Sequence, residues 1–116
     1  MEDTTITVYR PSGPVEFIIV RQSGYNRWPP RLPEQPIIYG VFNEPYAQQI
    51  ATQWNGSAGG VGFVDRFEVR QSFMDRFQLH HVGGANHTEW WITAEDLGEL
   101  NENIVGLIEL IGKYRS

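Results

Sequence analysis

The chain has 116 residues, of which 41% are hydrophobic and 20% charged, and a formal net charge of −5. This size and composition are typical of one globular domain, over residues 1–116, that forms its own core. No cysteine is present, which excludes thiol catalysis, thiolate metal sites and disulfides. The acidic balance argues against a general binder of nucleic-acid backbone, because such a protein needs a basic face.

The N-terminal sequence MEDTTITVYR starts acidic and lacks the basic and then apolar pattern of a secretory signal. No apolar stretch approaches the length needed to span a membrane. We therefore expect a cytoplasmic protein with no membrane partner.

The first elements are a strand and a helix. Residues 4–10 contain β-branched residues in alternation and predict a strand, which Pro11 is expected to end. Arg10 then lies at the carboxyl end of this strand. A helix is predicted over 15–23, with Gly24 as its C-terminal cap, although the apolar content of this segment would also suit a strand.

The next pair repeats this order. Residues 37–42 are apolar and predict a short buried strand, and Asn43 is a suitable N-cap for a helix that continues to about residue 54. Residues 61–69 predict a further strand. Its alternation places Asp65 on the same face as three apolar side chains, a conflict that periodicity does not resolve.

A helical turn over 71–76 and a strand over 77–82 are predicted next. The run Gly83–Ile92 supplies turn residues followed by β-formers, which indicates a hairpin and a second strand. In this strand His87, Glu89 and Trp91 share one face. A carboxylate between an imidazole and an indole belongs either to a solvated face or to a site.

The chain closes with a helix over 94–100, for which Thr93 is the expected cap, and a strand over 103–111. The whole order predicts an α+β fold: a mixed, mostly antiparallel sheet with two to four short helices.

The segment 25–36 contains four prolines and is predicted to be a loop. It also carries the aromatic residues Tyr25 and Trp28 and the cations Arg27 and Arg31. Such a loop suits two roles: a docking surface for another protein, or a stiff cover packed on the core. The overlapping stretch from Phe17 to Pro33 has three arginines and no acid, so it could hold a small phosphorylated ligand.

Other site chemistries have weak support. His80, His81, His87 and Glu89 match no recognised metal spacing, and adjacent histidines of a strand point to opposite faces, so no metal is expected. A metal-dependent site at His80, His87 and Glu89 remains a third hypothesis. No serine has a nucleophile-elbow context, and the glycines at 56–62 precede no phosphate-loop lysine.

The chain resembles the ADP-ribosyltransferase superfamily in short motifs on successive elements. These motifs are Val8-Tyr9-Arg10, the helix end Ser23-Gly24, Tyr39 with Tyr46-Ala47, the strand 61–69, and Glu89-Trp90-Trp91-Ile92. Over nearly its whole length it also resembles small uncharacterised bacterial proteins labelled ADP-ribosylation and J-type crystallin. The shared run extends from Pro29-Pro30-Arg31-Leu32-Pro33 to Trp54-Asn55.

The resemblance implies an ADP-ribosyltransferase-like fold and NAD as a dinucleotide substrate. Glu89 would be catalytic, because breaking the nicotinamide–ribose bond develops an oxocarbenium-like charge that a carboxylate stabilises. Arg10 would neutralise a phosphate of NAD, and Tyr39 and Tyr46 would present aromatic faces to the nicotinamide.

Three further residues, His87, Trp91 and Arg31, would contact the substrate. The second strand lacks the Ser-Thr-Ser of the arginine-specific transferases, and His87 stands where that group has the first glutamate of Glu-x-Glu. The acceptor of ADP-ribose therefore stays open between a protein, a nucleic acid and water. The alternative function is a non-catalytic interaction module that docks a partner on the loop 25–36.

Overall fold

The computed structural model describes residues 4–30, 37–57, 61–81 and 88–115. The strands are β1 (Thr5–Ser12), β2 (Ile37–Val41), β3 (Val61–Arg70), β4 (Leu79–His81), β5 (Thr88–Thr93) and β6 (Ile104–Arg115). The helices are α1 (Pro14–Gln22), α2 (Glu44–Ser57), α3 (Gln71–Met74) and α4 (Leu97–Glu102), and a 3₁₀ turn over Ala94–Asp96 precedes α4.

The six strands form one sheet in the order β4-β5-β2-β1-β3-β6. Each neighbouring pair is antiparallel, and β4 and β5 form the predicted hairpin. The predicted α+β class with a mostly antiparallel sheet and short helices is therefore confirmed.

The helix boundaries follow from their capping residues. Pro14 occupies the first turn of α1, and Gly24 beyond its end has a φ of +82°, a conformation that glycine adopts without steric cost. The Asn43 side chain accepts a hydrogen bond of 2.9 Å from the Tyr46 backbone N–H, as predicted for the N-cap of α2. This cap fixes where Tyr46 enters the fold.

The two faces of the sheet carry separate clusters of buried side chains. On one face Val8, Ile38 and Trp90 pack with Trp28 and with residues of α1 and α4. On the other face, Val41 and Val64 pack against α2 through the residues Tyr46, Ala47 and Ala51. The sheet is thus a middle layer, and Glu89 lies in the row of cross-strand partners that contains Val41.

The sheet is weakly joined between β1 and β2. β1 and β3 are in register at eight positions and β2 and β5 at five, whereas β1 and β2 are in register at Tyr9–Val41 alone among the described residues. Beyond that position a side chain connects the two strands: Arg10 of β1 donates a hydrogen bond of 3.1 Å to the Tyr39 carbonyl of β2. The two strands therefore separate where Arg10 and Tyr39 lie.

Several predicted boundaries were wrong, including the end of β6, which is Arg115 rather than 111, and the end of α3, which is Met74 rather than 76. β1 continues through Pro11 to Ser12, because its ladder with β3 extends beyond the residue that pairs with β2. Pro11 has no backbone N–H, and a strand tolerates this at a position that has no neighbouring strand on one side. β4 covers three residues rather than 77–82, since the turn after α3 extends to Phe77. Residues 94–96 form a 3₁₀ turn rather than the first turn of an α-helix. Residues 82–87 lie outside the described residues.

Candidate functional site

A cavity of about 190 Å³ opens where β1 and β2 separate. Its lining residues are Arg10, Pro11, Tyr39, Ile50 and Glu89. Three residues proposed from the sequence, Arg10, Tyr39 and Glu89, thus meet at one cavity although they come from three different strands.

Glu89 reaches the cavity from the middle of a three-strand unit. It lies opposite Val41 of β2 and His80 of β4, and its side chain is only 9% exposed. A carboxylate buried to this extent needs hydrogen-bond donors, because an ionised group loses its hydration on burial.

Two donors satisfy the Glu89 carboxylate. The Tyr46 hydroxyl donates to Oε2 at 2.5 Å, and the Trp91 indole Nε1–H donates to Oε1 at 2.8 Å. Each carboxylate oxygen can accept a further hydrogen bond, so the group is oriented but not saturated. Burial and the bond to Glu89 raise the pKa of Tyr46 to about 12, so this hydroxyl keeps its proton and stays a donor at neutral pH.

Exposed aromatic rings lie beside the carboxylate on the same face. Tyr39 is 42% exposed and contacts Trp91 edge to face, with ring centroids 6.1 Å apart. Trp91 is 38% exposed and stacks on His80 at 3.7 Å. The rings of Tyr39 and Trp91 therefore offer accessible surface for a flat ligand next to Glu89.

Arg10 is held by partners within the chain. Its Nε and Nη2 both donate to the Glu16 carboxylate at 2.9 Å, and its Nη1 donates to the Tyr39 carbonyl. The Arg10 side chain is 5% exposed and that of Glu16 is 14% exposed. A phosphate that takes up the N–H groups now bonded to Glu16 must therefore displace Glu16.

Asp65 lies directly across the β1–β3 ladder from Arg10 and is fully buried. Ser12 Oγ donates to its Oδ2 at 3.4 Å, and Oδ1 has no hydrogen-bond partner among the described residues. Burial raises the pKa of Asp65 to about 7, with a further increase from the nearby Glu16 carboxylate. The alternation of β3 placed Asp65 on the same face as apolar side chains, and Asp65 is indeed buried there.

Sequence reasoning missed Glu16 and missed the contact of the Tyr46 hydroxyl with Glu89. Glu16 lies in the first turn of α1, six residues after Arg10, and a strand-end arginine followed by an acid at a helix start was the available signal. Tyr46 is buried and contacts Glu89 through its hydroxyl. No lining of the cavity by its ring is seen within the described residues.

The remaining predicted site residues are divided. Trp91 lies at the site, as a donor to Glu89, whereas His87 and Arg31 lie outside the described residues. Within the described ranges no three histidine and acidic side chains are grouped to hold a metal ion. The set of His80, His87 and Glu89 cannot be placed as a whole because it includes His87.

The loop that suggested a docking surface is partly described, over 25–30. Trp28 is 1% exposed, and the Asn101 side chain holds its backbone by two hydrogen bonds, at 2.8 and 3.1 Å. Trp28 also contacts the Phe67 ring edge to face at 5.2 Å. This part of the loop is a cover packed on the core.

The chain matches no protein-family model, no curated protein and no solved structure. In the described part of the chain, none of the helices combines the length and the apolar composition that crossing a membrane requires.

Proposed function

We propose that the cavity beside Glu89 binds the nicotinamide–ribose end of NAD. The protein then cleaves the bond between nicotinamide and ribose and transfers ADP-ribose to an acceptor or to water. The observation that carries the proposal is the Glu89 carboxylate, buried at a cavity that Arg10 and Tyr39 also line. An ADP-ribosyltransferase-like fold and an intracellular dinucleotide substrate belong to the same proposal.

The chemistry asks for a fixed anion near the ribose. When the nicotinamide–ribose bond breaks, its electron pair goes to the nicotinamide nitrogen and the ribose carbon becomes cationic. The Glu89 carboxylate, oriented by Tyr46 and Trp91, stabilises that charge and accepts a hydrogen bond from a ribose hydroxyl. A lone pair of the acceptor forms the new bond to ribose and the acceptor loses a proton; with water the products are nicotinamide, ADP-ribose and a proton.

The aromatic rings supply the affinity for the leaving group. Nicotinamide is planar and cationic while it is part of NAD, so it gains from contact with the accessible faces of Tyr39 and Trp91. After the bond breaks the ring is neutral, which weakens this attraction and favours release.

Arg10 has a conditional part in this proposal. Its guanidinium is neutralised by Glu16, so a phosphate of NAD gains little net charge attraction unless the Glu16 carboxylate moves away. The Glu16→Gln variant tests whether a phosphate of NAD replaces Glu16 at Arg10. If phosphate replaces Glu16, this variant binds NAD more tightly than the native chain does, while its affinity for nicotinamide riboside, which has no phosphate, is unchanged.

The decisive experiment measures nicotinamide release from NAD by the native chain and by Glu89→Gln. The glutamine can still accept from Trp91 and can donate to the Tyr46 hydroxyl, so the fold should persist. We expect a loss of turnover of about 10²-fold to 10³-fold, the usual effect of removing one electrostatic contact to a transition state.

A matched control is Glu95→Gln, which neutralises an exposed acid in the 3₁₀ turn and should keep full turnover. Circular dichroism and thermal unfolding verify that both variants are folded. If the native chain shows neither binding nor cleavage at millimolar NAD, or if Glu89→Gln keeps its turnover, the proposal is wrong.

The alternative of an interaction module on the loop 25–36 has less support. It requires an exposed aromatic patch around Trp28, and this side chain is buried. A flat, shallow surface at Glu89 would also have favoured it, whereas Glu89 lines a cavity.

A further inference from the structure

A second and larger cavity lies on the sheet face opposite Glu89. Its volume is about 500 Å³, within the range typical of small-molecule sites. Its walls come from α1, from the segment 27–30 and from the 94–101 region. The cavity beside Glu89 shares none of these lining residues.

The lining is apolar with a few polar groups. Ile19, Pro29 and Leu97 supply apolar surface, and Arg27 is an exposed cation at the edge. Among the described residues no carboxylate pairs with Arg27. A cation that has no internal partner and borders apolar surface favours a ligand with an anionic group and an apolar body.

The Trp28 side chain provides a way to detect a ligand in this cavity. Trp28 lines the cavity and is 1% exposed, so a ligand that fills the cavity lies next to this side chain. The indole signal of Trp28 therefore reports whether the cavity is occupied.

The walls that carry these groups are fixed in place. The Asn101 side chain bonds to both the N–H and the carbonyl of Trp28, and the Tyr25 carbonyl accepts from the Ile108 N–H at 2.7 Å. Pro29 and Pro30, directly after Trp28, have φ angles that are fixed by their rings. The cavity is therefore already formed and need not be assembled when the ligand binds.

We propose that this cavity binds a small organic anion, whose apolar body lies between α1 and residues 94–101 and whose anionic group pairs with Arg27. The site is independent of the NAD proposal, because the two cavities have no lining residue in common. It also gives a role to the basic proline-rich loop that the catalytic proposal does not use.

The test uses naphthalene-2-carboxylate and its neutral counterpart naphthalene-2-carboxamide as probes, each titrated into the ¹⁵N-labelled full chain. The four tryptophans give separate indole N–H signals, that of Trp28 being assigned by triple-resonance spectra. We expect the carboxylate to shift the Trp28 signal and to bind at least tenfold more tightly than the carboxamide.

Two variants make the test specific. Arg27→Gln should abolish the preference for the carboxylate, and Arg21→Gln, which removes an exposed cation of α1 outside the cavity lining, should leave it unchanged. Gly98→Leu introduces a side chain at a lining position where a Cβ meets nothing within 4 Å, and should weaken both probes.

Three results would overturn the proposal: an unchanged Trp28 signal with the probes at millimolar concentration, equal affinity for the two probes, or an undiminished preference in Arg27→Gln. Each of these results leaves the NAD proposal untouched, since the readout involves no residue near Glu89.

Discussion

Two buried carboxylates, Glu89 on β5 and Asp65 on β3, have opposite environments. Glu89 has one donor on each oxygen, at 2.5 and 2.8 Å, and lines a cavity. Asp65 has one contact, at 3.4 Å from Ser12, and one oxygen without a partner among the described residues. The two acids therefore differ in burial as well as in donors: Asp65 is fully buried, and this burial is the main cause of its raised pKa.

The difference should appear most strongly in the pH dependence of stability. The pKa of Asp65 is raised from 3.8 to about 7, so the folded chain holds this proton more tightly than the unfolded chain does. Stability from Asp65 is therefore complete below about pH 4 and is lost as the pH rises from 4 to 7. At about 1.4 kcal/mol for each pKa unit, the loss is at most about 4–5 kcal/mol.

Asp65→Asn removes this loss. We expect the variant to be more stable than the native chain above pH 7, with the advantage shrinking toward pH 4. Urea unfolding across this range measures the difference, and Asp75→Asn, a change at an exposed acid, is the control. Parallel stability curves for native and Asp65→Asn chains would show that Asp65 is not a strained acid.

The Tyr46→Phe variant tests the environment of Glu89, the second of the two buried carboxylates. Removing the hydroxyl takes one donor from the buried Glu89 carboxylate, and we expect a loss of about 1–3 kcal/mol in the free energy of unfolding. NAD cleavage should also fall by about tenfold or more, because the anion is less well oriented.

Tyr9→Phe is the matched control for that variant. Tyr9 packs against the same apolar cluster, and its hydroxyl makes no hydrogen bond within the described residues. Equal effects of the two substitutions on stability and turnover would mean that the bond between Tyr46 and Glu89 contributes nothing specific.

The sequence allowed most of the fold to be predicted because the local signals agreed with one another. Asn43 as a cap, Pro14 at a helix start and Gly24 beyond its end each have a local physical reason. The strand boundary at Pro11 failed because the loss of the β2 neighbour is a property of the assembled sheet.

The candidate site was predictable in part. Glu89 was identified from its place among aromatic residues, and its meeting with Arg10 and Tyr39 follows from strand order. The pairing of Arg10 with Glu16 and the donation from Tyr46 to Glu89 depend on how α1 and α2 pack on the sheet. Periodicity gives the face of a side chain, not its partner on another element.

The smallest expected effect comes from Trp91→Phe. The indole donor to Glu89 is lost, but Trp91 is partly exposed and water can replace it, so we expect about 0.5–1 kcal/mol of destabilisation. Turnover should fall by less than it does in Tyr46→Phe. A larger loss than in Tyr46→Phe would reverse the assigned importance of the two donors, and parallel turnover and unfolding measurements decide this.

The most direct measurement of the central claim is the indole N–H signal of Trp91 during a titration with NAD. This N–H bonds to Glu89, so a ligand that engages the carboxylate must change its environment. We predict that millimolar NAD shifts the Trp91 signal and leaves that of Trp28 unchanged. A Trp91 signal that does not respond to NAD would contradict the assignment of this cavity as a dinucleotide site.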